Sequence, residues 1–347
     1  RDSPVSIEIR EVGDRRGLRK FIHFPFSLYR NNQYWVPPLL MDEWNTLDSS
    51  KNPAFKHCRT KLFMAYRDGE PVGRVAAIIN EKYAEKWQHA YCRFGWLDFV
   101  DDPDVSAALM QAVERYAQAQ GTTAVHGPLG FTDLDREGML IEGFNELGTM
   151  ATYYNHPYYP VHMERLGYTK DVDWVEFEVM VPDEVPEKVR RVQDLVLKRS
   201  KVHMVRGTKK ELLRYAPGLF DVVNETYKDL YGVVELTEEQ IRTYTDQYFG
   251  FINVDYVRIL VDENDRVVGF GVIMPSLSRA LQKSRGRLFP FGFARLLWAL
   301  RHPRTIDFLL IAVLPEYKSK GLVSTIMTEI TANAIRNGVR SAETNPE

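Results

Sequence analysis

The chain has 347 residues, room for about two domains of ordinary size. Hydrophobic residues make up 44% and charged residues 27%, and the formal net charge is -2, so the chain reads as a folded globular protein without a global pull toward nucleic acid or membrane. Two cysteines, Cys58 and Cys92, lie outside any CxxC pair and give neither a disulfide framework nor a zinc site, and no apolar run reaches the roughly 20 residues that span a bilayer. The first ten residues, RDSPVSIEIR, lack a signal-peptide core and begin with Arg rather than Met, as a trimmed end would; a cytoplasmic location is the default expectation.

Residues 7–12 alternate apolar and polar as a half-buried strand does, and 14–29 read as a helix interrupted at Pro25. Strand-like runs at 61–66 and 71–80 flank Asp68-Gly69, a strong hairpin signal. Residues 91–100 form a further strand. The stretch 101–120 is a helix, with Asp101 or Asp102 as cap, Pro103 in its first turn and Gly121 as its stop. A short strand at 124–127, a helix at 158–166 and a last strand at 174–181 complete the first half.

The charged amphipathic stretch 183–200 reads as a linker helix. The second half then gives a strand at 201–206, a helix at 209–230 interrupted near Pro217, and a helix at 237–247 with Thr237 and Gln240 as a capping box. A hairpin joins 256–261 to 266–274. A buried strand at 306–313, a helix at 324–337 stopped by Gly338, and a strand opening at 339–344 follow. The two halves share one element order without a residue-level repeat, as a duplication long diverged would.

The segment most informative about chemistry is 306–338, where a strand of bulky apolar residues ends at Pro315, a polar turn follows, and a helix begins after Gly321. The first amides of a helix lack internal partners and carry partial positive charge, so such a turn cradles anions. Gly321 allows close backbone approach, and Lys318 and Lys320 add charge.

At these residues the chain resembles the GCN5-related N-acetyltransferase (GNAT) superfamily. Its loop reads Gln/Arg-x-x-Gly-x-Gly/Ala after a lead-in like Val313-Leu314-Pro315-Glu316-Tyr317. Lys318 stands at the Gln/Arg position, Gly321 at the first Gly and Val323 at the Gly/Ala position, so two of the three depart, and Val323 is expected to crowd the pyrophosphate. The resemblance implies an α/β (α+β) fold of two tandem GNAT-like domains, each a mixed, mostly antiparallel sheet flanked by helices, at 1–182 and 201–347 with the linker helix between. It implies acetyl-CoA or another acyl-CoA as co-substrate, bound by Val313, Lys318, Ser319, Lys320, Gly321, Leu322 and Val323, and a small-molecule or peptide amine acceptor rather than DNA. Candidate bases are Glu343 on the last strand and Glu316 in the loop. A backbone N–H beside the end of the 306–313 strand would hold the oxyanion.

The first half departs further from the family. Its equivalent loop holds Asp98, Asp101 and Asp102 and no glycine, and Met163 stands where a tyrosine proton donor is common, so it is expected not to bind CoA. Its aromatic loops at 127–133, 142–144 and 153–159 either line a binding site or pack on the sheet. The whole chain resembles a bacterial group of tandem GNAT-like proteins with Gly-Pro…Phe-Thr, Glu-Gly-Phe and Pro-Tyr-Tyr patterns, which implies no particular substrate. The eight histidines form no metal pattern. Two other readings stand beside acyl transfer: a binding or regulatory module without turnover, favoured by Val323, and a Fem-type aminoacyl transferase, whose tRNA acceptor would suit the acid-free basic stretch 266–306. Within that stretch, 291–300 reads as an amphipathic helix packed on the core. After Gly338 the family pattern runs strand, helix, strand, strand, and the second half supplies only the strand opening at 339–344, so either residues past Glu347 or another segment must fill its sheet edge.

Overall fold

The computed structural model describes residues 6–347, and the chain divides into two compact units, one of residues 1–173 with 285–287 and one of 174–284 with 288–347. In the first, strands β1 (Glu8–Glu11), β2 (Cys58–Arg67), β3 (Glu70–Asn80), β4 (Tyr91–Phe99) and β5 (Ala124–His126) form one sheet in chain order. Helices α1 (Arg15–Leu28), α2 (Leu40–Leu47), α3 (Glu81–Trp87), α4 (Pro103–Ala119) and α5 (Tyr158–Arg165) accompany it. All pairings are antiparallel except β4 with β5. The Asp-Gly turn forms as expected, with Asp68 and Gly69 both at positive φ. The helix at α1 runs unbroken through Pro25. Proline removes the N–H that Phe21's carbonyl would have accepted, and Arg74 Nη1 donates to that carbonyl instead at 2.8 Å.

The second unit contains β6 (Glu178–Met180), α6 (Glu187–Ser200), β7 (His203–Val205), α7 (Lys209–Leu213), α8 (Ala216–Tyr227), α9 (Glu238–Tyr248), β8 (Val257–Val261) and β9 (Val267–Pro275). It continues through α10 (Ser278–Ser284), α11 (Gly292–Arg301), β10 (Thr305–Val313), α12 (Leu322–Arg336) and β11 (Ser341–Glu343). Its sheet order is β6-β11-β10-β9-β8-β7, antiparallel except β10 with β11. Both sheets are thus mixed and mostly antiparallel, each with one internal parallel pair. Buried aliphatic and aromatic side chains gather against each sheet: Phe99, Leu109 and Val113 in the first unit, Phe270, Ile326 and Ile330 in the second. Among the described residues, no helix is long and apolar enough to cross a membrane.

The boundary between the units differs from the expected one. The strand at 174–181 does not close the first sheet. It pairs antiparallel with β11, extended by the mutual Val175–Glu347 backbone bonds at 2.9 and 3.0 Å and by Thr344 N to the Phe177 carbonyl at 2.9 Å. Another segment of the chain therefore occupies the sheet edge that the sequence pattern leaves open. Nor is 183–200 a linker: α6 packs on α12, with Gln193 Nε2 donating to Glu329 at 3.2 Å. Local pattern identifies both elements but carries no information on which sheet edge they complete.

Candidate active site

In the second unit β10 pairs with β11 over only three residues, Thr305 to Asp307 against Ser341 to Glu343. A bulge between Phe308 and Leu310 then bends β10. Past it, among the described residues, no strand lies on the β11 side. Side chains take some of the open carbonyls: Asn345 Nδ2 donates to Leu309 O at 3.1 Å and the Tyr227 hydroxyl to Ile311 O at 3.0 Å. Leu314 N donates to Val268 on the other side, at 2.8 Å. Backbone groups alternate along a strand, so the Ile311 and Val313 N–H groups face the open side. Residues 308–311 are only half-buried although their strand is internal to the sheet. The result is an unpaired stretch of strand edge bearing main-chain donors and acceptors.

The loop at 315–320 and α12 close one end of this edge. Gly321 sits at φ +77°, the left-handed region that glycine occupies without strain, and serves as the N-cap of α12 with no side-chain cap. The first amides of α12, at Leu322, Val323 and Ser324, are those a helix leaves without internal partners. Lys318, Ser319 and Lys320 are exposed around them, with Lys320 Nζ 5.0 Å from the Tyr317 ring centre. Val323, in the first turn of α12, is 43% exposed. The loop and helix start together present unpartnered amides beside two exposed lysines. Glu316, offered by the sequence as a base, is exposed and bonds Arg266 at 2.8 Å. Its own backbone amide and the Arg266 guanidinium hold its carboxyl below the usual range, which makes it a poor base.

At the other end lies a row of carboxylates. Asp307, Glu343 and Glu178 are register partners across β10, β11 and β6, and Glu176 follows two residues before Glu178 on the same side of its strand. Asp307 is 7% exposed. Burial, then the Glu343 and Glu176 charges, push it up to about 7. Desolvation and the Glu343 charge push Glu176 up to about 7 as well, with its residue exposed at the surface where Asp307 is buried. A buried carboxylate that ionises near neutrality can accept a proton during reaction and release it afterwards. Among the described residues no group of side chains suits a metal ion.

The structure therefore sets Val313 and the 318–323 loop at one end of an open strand edge and Glu343 at the other. Asp307, Glu176, Tyr227 and Asn345 complete the arrangement and escaped the sequence reading. Asp307 had a visible signal: it is the single charged residue in the strand TIDFLLIAV. Tyr227 and Asn345 had none, since their role depends on the carbonyls they reach.

The first unit fills the same positions differently. Beyond Arg93, β4 also parts from β5, and Trp96 at φ +48° marks its irregularity. Here the chain's own loop occupies the gap. Leu129 N donates to Phe94 O at 2.8 Å, Gly130 O accepts from Arg93 Nη1 at 3.1 Å, and a Cβ on Gly95 would lie 2.3 Å from Leu129 O. At the start of α4 the Asp102 carboxylate accepts from Asp104 N and so takes the place an anion would need. Asp98 is buried with Arg74 at 2.9 Å and the Tyr159 hydroxyl at 2.7 Å; Asp101 bonds His162 at 2.8 Å. Met163 is buried. Parts of two aromatic loops are packed: Leu129, Phe131 and Tyr159 are at most 2% exposed, and Asn155 bonds both the N–H and the carbonyl of Leu140, whereas Glu142 and Gly143 are exposed.

No family model matches the chain. Protein YghO of Escherichia coli (strain K12) is 30% identical over 313 residues, 89% of this chain and 79% of that protein. The bacterial ceramide synthase of Caulobacter vibrioides is 28% identical over 289 residues, 82% of this chain and 74% of that enzyme. Among solved structures, a tandem GNAT protein from the clavulanic acid biosynthesis pathway aligns with a TM-score of 0.55 at 12% identity, over 99% of this chain and 90% of its own. That degree of identity speaks to the fold alone. The chain belongs to the family of the Escherichia coli protein YghO, built on a tandem GNAT-like fold.

Proposed function

We propose that the second unit is an N-acyltransferase that moves an acyl group from acyl-CoA to an amine. The observation that carries this reading is the open edge of β10, which runs from the uncapped start of α12 to the buried Asp307. An extended arm containing amides pairs with such an edge as a strand does, and the diphosphate meets the amides of residues 322–324 with Lys318 and Lys320. The six-residue step from Asp307 to Val313 is roughly 20 Å of strand.

In this reading Asp307, supported by Glu343 and Glu176, takes a proton from the amine nitrogen as it attacks the thioester carbonyl. The C–N bond forms, the C–S bond breaks, and the thiol leaves protonated. Starting from an ammonium group, one proton is released per turnover. A main-chain N–H on the Asp307 side of the open edge stabilises the oxygen of the tetrahedral intermediate, since donor and base must reach the same carbon. The ceramide synthase relative supports a long-chain amino alcohol as acceptor, since a ceramide is an N-acylated amino alcohol of that kind.

The test is to incubate the purified protein with palmitoyl-CoA and sphinganine, follow free thiol and identify the product by mass. Expected is thiol release that depends on the amine and matches an N-acyl product one to one. An absence of thiol release and of binding across short and long acyl-CoAs would sink the transferase reading and favour a module without turnover.

A further inference from the structure

Helix α11 is held to the second unit by one face: Gly292, Leu296 and Leu300 are buried, and Asn253 Nδ2 bonds the Leu300 carbonyl at 2.8 Å. Its opposite face carries Phe291, Arg295, Trp298, Arg301 and His302, which helical spacing sets side by side. Phe291 is 70% exposed and Trp298 63%, and Phe289 just before the helix is 77% exposed. Trp298 stacks on His302 with ring centres 4.6 Å apart, which stiffens the outer surface without burying it. Packing does not explain these aromatics, because the helix already has its core face.

Charge identifies what the face suits. From Arg266 to Ile306 the chain has no carboxylate side chain, while Arg279, Lys283, Arg295, Arg301 and Arg304 are all exposed. Elsewhere on the surface arginines pair with acids, as Arg191 with Glu187 and Arg266 with Glu316 do. Among the described residues neither Arg295 nor Arg301 has an acidic side chain in ion-pair contact. Unneutralised arginines next to exposed Phe and Trp match the headgroup region of an anionic bilayer, where rings sit at the boundary and guanidinium groups meet phosphates.

We propose that the α11 face docks on an anionic lipid surface, with Phe289, Phe291 and Trp298 at headgroup depth and Arg295 and Arg301 on lipid phosphates. The proposal goes beyond acyl transfer and does not depend on it. The experiment is flotation of the full chain with vesicles of phosphatidylglycerol and phosphatidylcholine, compared with phosphatidylcholine alone. The chain should float with the anionic vesicles, less so at high salt, and bind the neutral ones about tenfold or more weakly. Arg295→Glu with Arg301→Glu should weaken anionic binding about tenfold or more, as should Phe291→Ser with Trp298→Ser. Phe291→Trp should keep it, and all variants should unfold at the wild-type temperature because the altered side chains are exposed. Failure of the wild type to float, equal binding by the variants, or a Trp298-dependent dimer in place of vesicle binding would overturn the proposal.

Discussion

Strands β4 and β10 hold equivalent positions in their sheets. Each lies between an antiparallel neighbour and a short parallel one, and each parts from the parallel neighbour after three paired residues. In the first unit the chain fills the resulting gap with residues 127–131 and caps the following helix with Asp102. In the second the gap stays open, the helix start is uncapped, and a buried aspartate stands at the far end. The same backbone plan therefore serves once as packed support and once as a candidate site. The difference lies in which polar groups are already satisfied. A donor that has an internal partner is unavailable to a ligand, and an orphaned one at the surface is a binding resource.

The largest expected effect separates the two units by chemistry. Asp307→Asn should lower acyl-transfer kcat by about 10²–10⁴ while leaving CoA affinity intact. Wild-type kcat/KM should rise with pH through about 7, as Asp307 loses its proton, and the variant should lose that limb. The same shift predicts a stability change. Asp307 goes from an ordinary 3.8 to about 7 on folding, so its contribution is fully present below pH 3.8 and lost as pH rises through 7. Above neutrality Asp307→Asn should therefore be more stable than wild type by about 2–4 kcal/mol, and nearly equal to it near pH 4, as thermal unfolding at both ends would show.

Opening the filled gap is the next largest. In Gly95→Ala the added Cβ would lie 2.3 Å from Leu129 O, a backbone atom that cannot swing aside. The first unit should lose about 2–4 kcal/mol in denaturant unfolding, and CoA binding should not change. A CoA effect from Gly95→Ala would mean that the first unit takes part in binding after all.

Smaller again is charge reversal at the open end. Lys318→Glu with Lys320→Glu should weaken acetyl-CoA about tenfold, or 1.4 kcal/mol, by calorimetry, with less effect at high salt. These lysines are a cleaner probe than Gly321, whose φ of +77° demands glycine whether or not phosphate binds. Asp102→Ala, the matching change in the first unit, should cost about 1 kcal/mol of stability as a lost cap and create no CoA site. Smallest is Tyr227→Phe, which frees the Ile311 carbonyl and should cost about 0.5–1.5 kcal/mol in unfolding.

Much of the fold was legible in sequence, because hairpin chemistry, caps and periodicity are local. Asp68-Gly69 and the Thr237–Gln240 capping box form as expected. The short helix α2 has no such local mark, because its N-cap, Leu39, makes no side-chain cap bond. The strand, turn and helix at 305–336 were legible too, since they are contiguous. Glu316 has the chemistry of a base in sequence, but Arg266, fifty positions away, lies beside it in the fold and holds its charge.

By itself, then, the sequence determined most of the strands and the longer helices, that two similar element series follow one another, and where the helix start after Gly321 would lie. These depend on spacings within a few residues, which the chain carries in plain order. Only the tertiary structure decided that residues 174–181 complete the second sheet, that Asp307, Glu343 and Glu176 share one side of three strands, and that the gap beside β10 is open while the gap beside β4 is filled. Those facts depend on hydrogen bonds and burial between residues distant in the chain. Strand pairing is chosen by whichever edge best satisfies backbone groups, and a carboxylate's proton affinity is set by the charges and desolvation that the finished packing brings to it.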